Sequence, residues 1–240
     1  HHVASKDPAV LNLAGRVLGI EGKKTTKPLL GYLEKPDLDA ILAAPDGNTQ
    51  QGRRDHTLLL LLARTGARVS EAIGVNVSDL MLKSPTHVRL RGKGGKERAV
   101  PLVKDAVAAV NALLEERGVG AQPEAAVFVN TRKQRLSRFG VIHILRRAVT
   151  AAVKAKPSLG TMAVSPHSLR HSHAMHLLQS GVDLVTIKSI LGHASVNTTH
   201  QYVEADLEMK RRALEKCATV ETNPAPYQPS DEVLALLESL

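Results

Sequence analysis

Six residues of four types stand where they could act together on a phosphate group. They occur in four short motifs, which in chain order are Thr65-Gly-Ala-Arg68-Val-Ser-Glu71, Arg91-Gly-Lys93-Gly-Gly-Lys96, Ser165-Pro-His167-Ser-Leu-Arg170 and Leu191-Gly-His193-Ala-Ser-Val-Asn-Thr-Thr-His-Gln-Tyr202. A guanidinium group stays charged and reaches two oxygens at once, and a histidine can give or take a proton. A tyrosine hydroxyl can attack phosphorus and form a covalent ester. These residue types together suit chemistry at a phosphodiester bond.

The four motifs, in this order, resemble the active site of the tyrosine recombinases, also called the phage integrase family. The resemblance extends over roughly residues 30–215. It implies a site-specific DNA recombinase or integrase that cleaves and rejoins DNA by transesterification through a covalent 3′-phosphotyrosine. Because each step exchanges one ester for another, the reaction implied needs no ATP. The resemblance also implies a reaction without a metal ion, and no cofactor is expected.

The resemblance assigns catalytic roles to six residues, which are Arg68, Lys93, His167, Arg170, His193 and Tyr202. In these roles the tyrosine is the nucleophile, the two arginines bind the scissile phosphate, and the lysine protonates the leaving 5′ hydroxyl. The first histidine is a general acid/base or hydrogen-bond donor, and the second donates a hydrogen bond to the phosphate. Glu71 orients Arg68 by the same resemblance. A plain structural ion pair between these two residues, three apart on one helical face, is compatible with that role.

The charge of the chain favours a polyanionic partner. The 240 residues include 32 basic and 23 acidic side chains, a net charge of +9. Residues 131–156 contain eight Lys and Arg and no acid, which favours double-stranded DNA over a merely solvated helix face. Eight residues are predicted to contact DNA, which are Arg91, Lys96, Arg98, Arg132, Arg135, Arg138, Arg146 and Arg147. The helix predicted from Ser137 is the candidate for the major groove.

Hydrophobic periodicity and punctuation predict a mainly α fold with a small antiparallel β-sheet (α+β), and the resemblance implies the tyrosine recombinase catalytic-domain fold. Strands at 86–91 and 96–102 flank Gly92-Lys-Gly-Gly as a hairpin. Three side chains are predicted as helix N-caps, which are Asp37, Ser137 and Ser165. The predicted helices span residues 37–43, 53–65, 70–73, 104–117, 137–154, 166–179, 183–191, 195–202, 206–217 and 230–240.

Three segments are predicted along the chain. Residues 1–31 read as a lead-in or linker from a missing N-terminal core-binding domain, an inference that rests on the resemblance. Residues 32–222 form the catalytic domain, and residues 223–240 form a Pro-rich linker and a C-terminal helix. The resemblance implies a tetramer on DNA, with the helix at 230–240 exchanged between protomers. Docking of this helix on its own domain is the alternative.

Other classes of site and location receive little support. Six histidines could suggest a zinc site, but no Cys pair or His-Glu-x-x-His accompanies them, and no metal is expected. Those histidines are His167, His171, His173, His176, His193 and His200. The single cysteine, Cys217, fits a reducing cytosol. The chain has neither an apolar run of membrane-spanning length nor a signal peptide. A cytoplasmic, nucleoid-associated location without a membrane partner is therefore expected.

Two other functions remain open on the sequence. One is a binding module that is derived from a recombinase and holds DNA without cutting it, and the complete set of catalytic residue types argues against it. The other is a type IB topoisomerase, which shares the chemistry, although the motif spacing favours a recombinase. The segment Glu204-Ala-Asp-Leu-Glu after the tyrosine suggests, by resemblance, an integrase of a mobile element.

Overall fold

A computed structural model describes residues 32–192 of the chain. His193 and Tyr202 lie outside this range, as do the predicted helices at 195–202, 206–217 and 230–240. The side chain of Lys93 also lies outside the description.

Seven α-helices and a three-stranded sheet form between these limits, which confirms the predicted α+β class. The helices are α1 (Lys35–Ala43), α2 (Gln50–Thr65), α3 (Val69–Gly74), α4 (Lys104–Arg117), α5 (Arg138–Ala152), α6 (Pro166–Gln179) and α7 (Leu184–Leu191). No helix in this part of the chain combines the length and the apolar character needed to cross a membrane.

Local capping explains where most of these helices begin. The hydroxyls of Ser137 and Ser165 accept hydrogen bonds from the third residue beyond them, so both predicted N-caps are confirmed. The prediction of Asp37 as an N-cap is wrong. Helix α1 begins two residues before Asp37, with Glu34 as its N-cap, and the Asp37 carboxylate accepts from the Glu34 amide at 3.2 Å as the other half of a capping box. Helix α2 begins three residues earlier than predicted because Thr49 caps it.

The sheet consists of β1 (Leu80–Met81), β2 (His87–Arg91) and β3 (Glu97–Pro101), joined in that order and antiparallel throughout. The predicted hairpin is confirmed, with strand ends that differ by one residue. Its turn closes through the Gly92 amide, which donates to the Lys96 carbonyl at 2.7 Å. Strand β1 was not predicted, since two residues are too short to show alternation.

Helix α2 lies at the centre of the fold and packs against α4 and α6. Its run of leucines at 58–62 is buried on all sides, as expected for an apolar segment in the centre of a domain. A second, smaller core joins α6 to α7 through Met175, Leu178, Ile187 and Leu191. These two cores bring the C-terminal ends of α2 and α7 to the first turns of α6.

Candidate active site

Arg170 joins the C-terminal ends of two helices. It lies one turn into α6 with only 7% of its surface exposed. Its Nη1 donates to the carbonyl of Gly66 after α2 at 2.5 Å, and its Nη2 donates to the carbonyl of Leu191 in α7 at 2.6 Å. Carbonyls at helix C-termini lack intrahelical donors and carry partial negative charge, so a buried guanidinium is stable between them.

Arg68 and Glu71 form the ion pair that their spacing allows. Arg68 is the N-cap residue of α3, and its amide donates to Glu71 Oε2 while its Nη1 donates to Oε1, each at 2.8 Å. The carboxylate is 1% exposed, whereas the arginine side chain is 39% exposed. The buried Glu71 carboxylate therefore binds one side of the Arg68 guanidinium, and the other side is open to solvent.

Arg98 is a second partner of Glu71. From β3 its Nη1 and Nη2 donate to the two carboxylate oxygens at 2.9 and 2.8 Å, in a bidentate pair. Burial opposes the charge of Glu71, but hydrogen bonds from Arg98 and Arg68 outweigh it and hold the pKa of Glu71 at about 2. This pair could not be predicted from the sequence, because the two residues are 27 positions apart and neither lies in a pattern that indicates the other.

Three arginines thus bind three successive carbonyls at the end of α7. Arg98 Nε donates to Ile190 at 2.7 Å, Arg170 donates to Leu191, and Arg68 Nη2 approaches the carbonyl of Gly192 at 3.4 Å. They come from β3, α6 and α3 respectively. Together they fix the main chain at the residue that precedes His193.

The hairpin turn lies directly over Glu71. A Cβ built on Gly92 would be 3.3 Å from Glu71 Oε1, so the absence of a side chain there permits this close approach. Gly94 and Gly95 follow with φ of 74° and 73°, which glycine adopts without strain. The backbone of Lys93 therefore belongs to a turn that packs beside the Arg68–Glu71 pair.

His167 lies in the first turn of α6, one turn before Arg170, and its side chain is exposed. The Ser165 cap and Pro166 at the first helical position fix this end of the helix. The helix N-terminus adds partial positive charge on the side where His167 lies.

His173, for which the sequence predicts no catalytic role, lies close to Arg170. The ring of His173 packs so closely on Gly66 that a Cβ there would lie 2.8 Å from its Cδ2. Burial lowers the pKa of His173 to about 4, and the nearby His176 and Arg170 act in the same direction. His173 is thus neutral at physiological pH and adds no charge to the cluster.

The cluster as a whole is cationic. The cluster contains three guanidinium groups, from Arg68, Arg98 and Arg170, and one carboxylate, from Glu71, so its basic side chains outnumber its acid by three to one. Fixed donors of this kind stabilise negative charge that develops on phosphate oxygens. Over residues 32–192, no group of three or more side chains is suited to hold a metal ion.

The residues predicted to contact DNA fall into two groups. Arg91 pairs with Asp79 and Glu97, and Arg135 donates to the Ile73 carbonyl and the Asn76 amide oxygen, so their donors are partly engaged, as are those of Arg98. The other residues are exposed, and the part of the chain described here offers their side chains no acidic partner. They are Lys96, Arg132, Arg138, Arg146 and Arg147.

Known proteins match most of the chain. The profile of the phage integrase family matches residues 31–209. The chain is 43% identical over 225 residues to the protein named "Putative integrase/recombinase y4rC" of Sinorhizobium fredii, covering 94% of this chain and 67% of the relative. It is 34% identical over 224 residues to tyrosine recombinase XerC of Pelobacter propionicus, covering 93% and 69%. The chain therefore spans about two thirds of the length of these relatives.

Solved structures show the same fold. The XerH site-specific recombinase bound to a palindromic difH substrate, in a post-cleavage complex, has a TM-score of 0.68 and 25% identity, over 83% of this chain and 55% of that one. XerA recombinase has a TM-score of 0.66 and 28% identity, over 83% and 67%.

Proposed function

The chain belongs to the phage integrase family, and from this premise we propose that it is a site-specific DNA recombinase that cleaves and rejoins strands through a 3′-phosphotyrosine. The observation that carries the proposal is the joint attachment of Arg68 and Arg170 to the end of α7, directly before His193. Two guanidinium groups and the segment that leads to the tyrosine are thereby tied to one point.

The proposed reaction proceeds in two ester exchanges. The Tyr202 hydroxyl gives its proton to His167 as its oxygen attacks phosphorus, and the displaced 5′ oxygen takes a proton from Lys93. A second 5′ hydroxyl then attacks the phosphotyrosine and gives its proton to Lys93, while the released Tyr202 oxygen regains its proton from His167. Arg68 and Arg170 stabilise the extra negative charge on the non-bridging oxygens in both steps. His167 is thus the general acid/base of these steps rather than only a hydrogen-bond donor, and His193 donates a hydrogen bond to the scissile phosphate.

We place double-stranded DNA along α5 as well. Arg138, Arg146 and Arg147 are exposed on this helix and would bind phosphates, which gives affinity and steep salt dependence. Phe139, 83% exposed near the start of α5, offers an apolar contact to a thymine methyl group in the major groove. Lys96 and Arg132 complete the proposed basic surface, while Arg91 and Arg135 would approach DNA with part of their donors already engaged.

The assembly and setting are further proposals. A tetramer on two DNA sites, with the helix at 230–240 passed between protomers, follows from the family resemblance, as does action on a mobile element in the cytoplasm at the nucleoid. Deleting residues 224–240 should abolish DNA-dependent assembly, as measured by light scattering. Unchanged assembly would rule out the exchange.

Covalent capture tests the reaction itself. The chain is incubated with nicked duplexes that cover the DNA flanking its own gene, denatured in SDS, and examined for protein-linked DNA beside Tyr202→Phe. We expect an adduct with the native tyrosine only. Retarded DNA without any adduct would instead favour the non-cleaving binding module. Processive relaxation of supercoils with no joining of two sites would favour a type IB topoisomerase.

A further inference from the structure

Arg98 lies on the side of the cluster that faces the protein interior. Its contacts indicate a role other than binding DNA. Its side chain is 12% exposed. All three of its side-chain nitrogens donate to protein acceptors: Nε to the Ile190 carbonyl, and Nη1 and Nη2 to the Glu71 carboxylate. A side chain so placed has little surface to offer to a phosphate outside the protein.

The two arginines paired with Glu71 determine how strongly Arg68 can attract an anionic ligand. A lone Arg68–Glu71 pair would be neutral, and the carboxylate would repel an approaching phosphate. Arg98 covers both carboxylate oxygens, so Glu71 is already compensated when it accepts from Arg68. Arg68 then retains its positive charge on the side that faces solvent.

The same side chain also ties the hairpin to the end of α7. Strand β3 follows the turn that contains Lys93, and Ile190 is three residues before His193. Arg98 further packs against Gly192, where a Cβ would lie 2.9 Å from its Nη1. A single guanidinium therefore links two segments that carry proposed catalytic residues.

We propose that Arg98 is a positioning residue for strand cleavage: by binding Glu71 and the Ile190 carbonyl, it leaves the charge of Arg68 to the scissile phosphate and fixes the main chain that leads to His193. The inference rests on the proposed function, which it deepens by adding a residue that does not touch the substrate.

The test compares single-turnover adduct formation on a nicked duplex with DNA affinity, for Arg98→Met, Arg98→Lys and the double variant Glu71→Gln/Arg98→Met. Arg98→Met should slow adduct formation about 100-fold and change DNA affinity by less than about threefold. Arg98→Lys keeps the charge and should recover part of the rate. The double variant removes the uncompensated carboxylate and should be faster than Arg98→Met. Circular dichroism establishes that each variant is folded.

Three results would overturn the proposal. The first is a folded Arg98→Met that cleaves within about threefold of the parent. The second is a loss of DNA affinity with a salt slope smaller by about 1, which marks a direct phosphate contact. The third is a double variant slower than Arg98→Met, which would show that the carboxylate does not inhibit cleavage when Arg98 is absent. Arg146→Ala, on the exposed face of α5, serves as the reference for a DNA contact.

A titration independent of activity separates this proposal from the proposed function. The Glu71 carboxyl is followed by carbon NMR with and without Arg98→Met, and its pKa should rise in the variant. An unchanged pKa would overturn the charge argument. A parent chain that forms no adduct would overturn the proposed function together with the cleavage role of Arg98, whereas an active parent beside an equally active Arg98→Met overturns only the role of Arg98.

Discussion

The arginines that bind the end of α7 and the arginines on α5 differ in what compensates their charge: acceptors within the protein for the first group, and solvent for the second. Arg170 is buried, Arg98 is only 12% exposed, and both bind acceptors within the fold. Arg146 and Arg147 are exposed and find no acidic partner in the described part of the chain. Arginine thus serves two purposes in this protein, and its position in the fold determines which of them it serves.

The difference follows from the cost of removing charge from water. A buried guanidinium is stable only with a complete set of acceptors, so its geometry is fixed by the protein. An exposed guanidinium keeps its hydration and exchanges it for phosphate when DNA arrives. We therefore expect substitutions in the first group to change folding and cleavage, and substitutions in the second to change affinity alone.

Arg170→Ala should have the largest effect. It leaves the carbonyls of Gly66 and Leu191 without their donor and removes a phosphate ligand. The free energy of unfolding should fall by about 2–4 kcal/mol, and adduct formation should fall by about 10²–10³-fold. Urea unfolding and single-turnover cleavage measure the two effects. Arg170→Lys should recover part of the stability but little of the cleavage, since an ammonium lacks the fork. Wild-type stability in Arg170→Ala would remove the basis of the comparison.

The acid stability of the chain should depend on His173. Its folded pKa of about 4 is below the ordinary value of 6.5, so the unfolded chain binds the proton more tightly. The contribution to stability is complete above pH 6.5 and is lost as pH falls toward 4, by up to about 3 kcal/mol. Unfolding measured from pH 7 to pH 4 should show a shallower decline for His173→Gln. His143→Gln, at an exposed position on α5, should follow the parent; an equal change in both variants would contradict the assignment.

Gly192→Ala sharpens the comparison through a matched glycine. Gly192 and Gly118 both end helices with φ of 64°, so alanine at either position should cost about 1 kcal/mol from the left-handed backbone. Only at Gly192 would the new Cβ press on Arg98, at 2.9 Å, while Gly118 has nothing within 4 Å. Gly192→Ala should therefore slow adduct formation about tenfold, and Gly118→Ala should not. Equal rates for the two variants would show that contact with Arg98 does not matter.

Arg146→Ala should have the smallest effect on the protein itself. The free energy of unfolding should stay within about 0.5 kcal/mol of the parent. The slope of log affinity for DNA against log salt should decrease by about 1. Filter binding at several salt concentrations gives the slope. A marked loss of stability would place Arg146 with the buried arginines instead.

Local signals in the sequence account for much of the fold but for only part of the site. Ser137 and Ser165 were predictable as caps because capping depends on a few adjacent residues. The prediction of Asp37 as an N-cap failed because an acid near the start of a helix suits both the N-cap and the third helical position. Arg98 was predicted to contact DNA on its charge alone. Its pairing with Glu71 depends on how β3 packs beside α3, and no local pattern encodes that distance.

The three arginine contacts to the end of α7 restrict which sequence changes this helix can accept. Arg98, Arg170 and Arg68 bind main-chain oxygens, which every amino acid supplies. Side-chain exchange at Ile190 therefore leaves the anchor itself in place. A one-residue insertion or deletion in α7, by contrast, would rotate its end by about 100° and shift it by about 1.5 Å, and would misalign all three carbonyls at once. Across relatives, the number of residues between Asp183 and Gly192 should accordingly vary less than their identity.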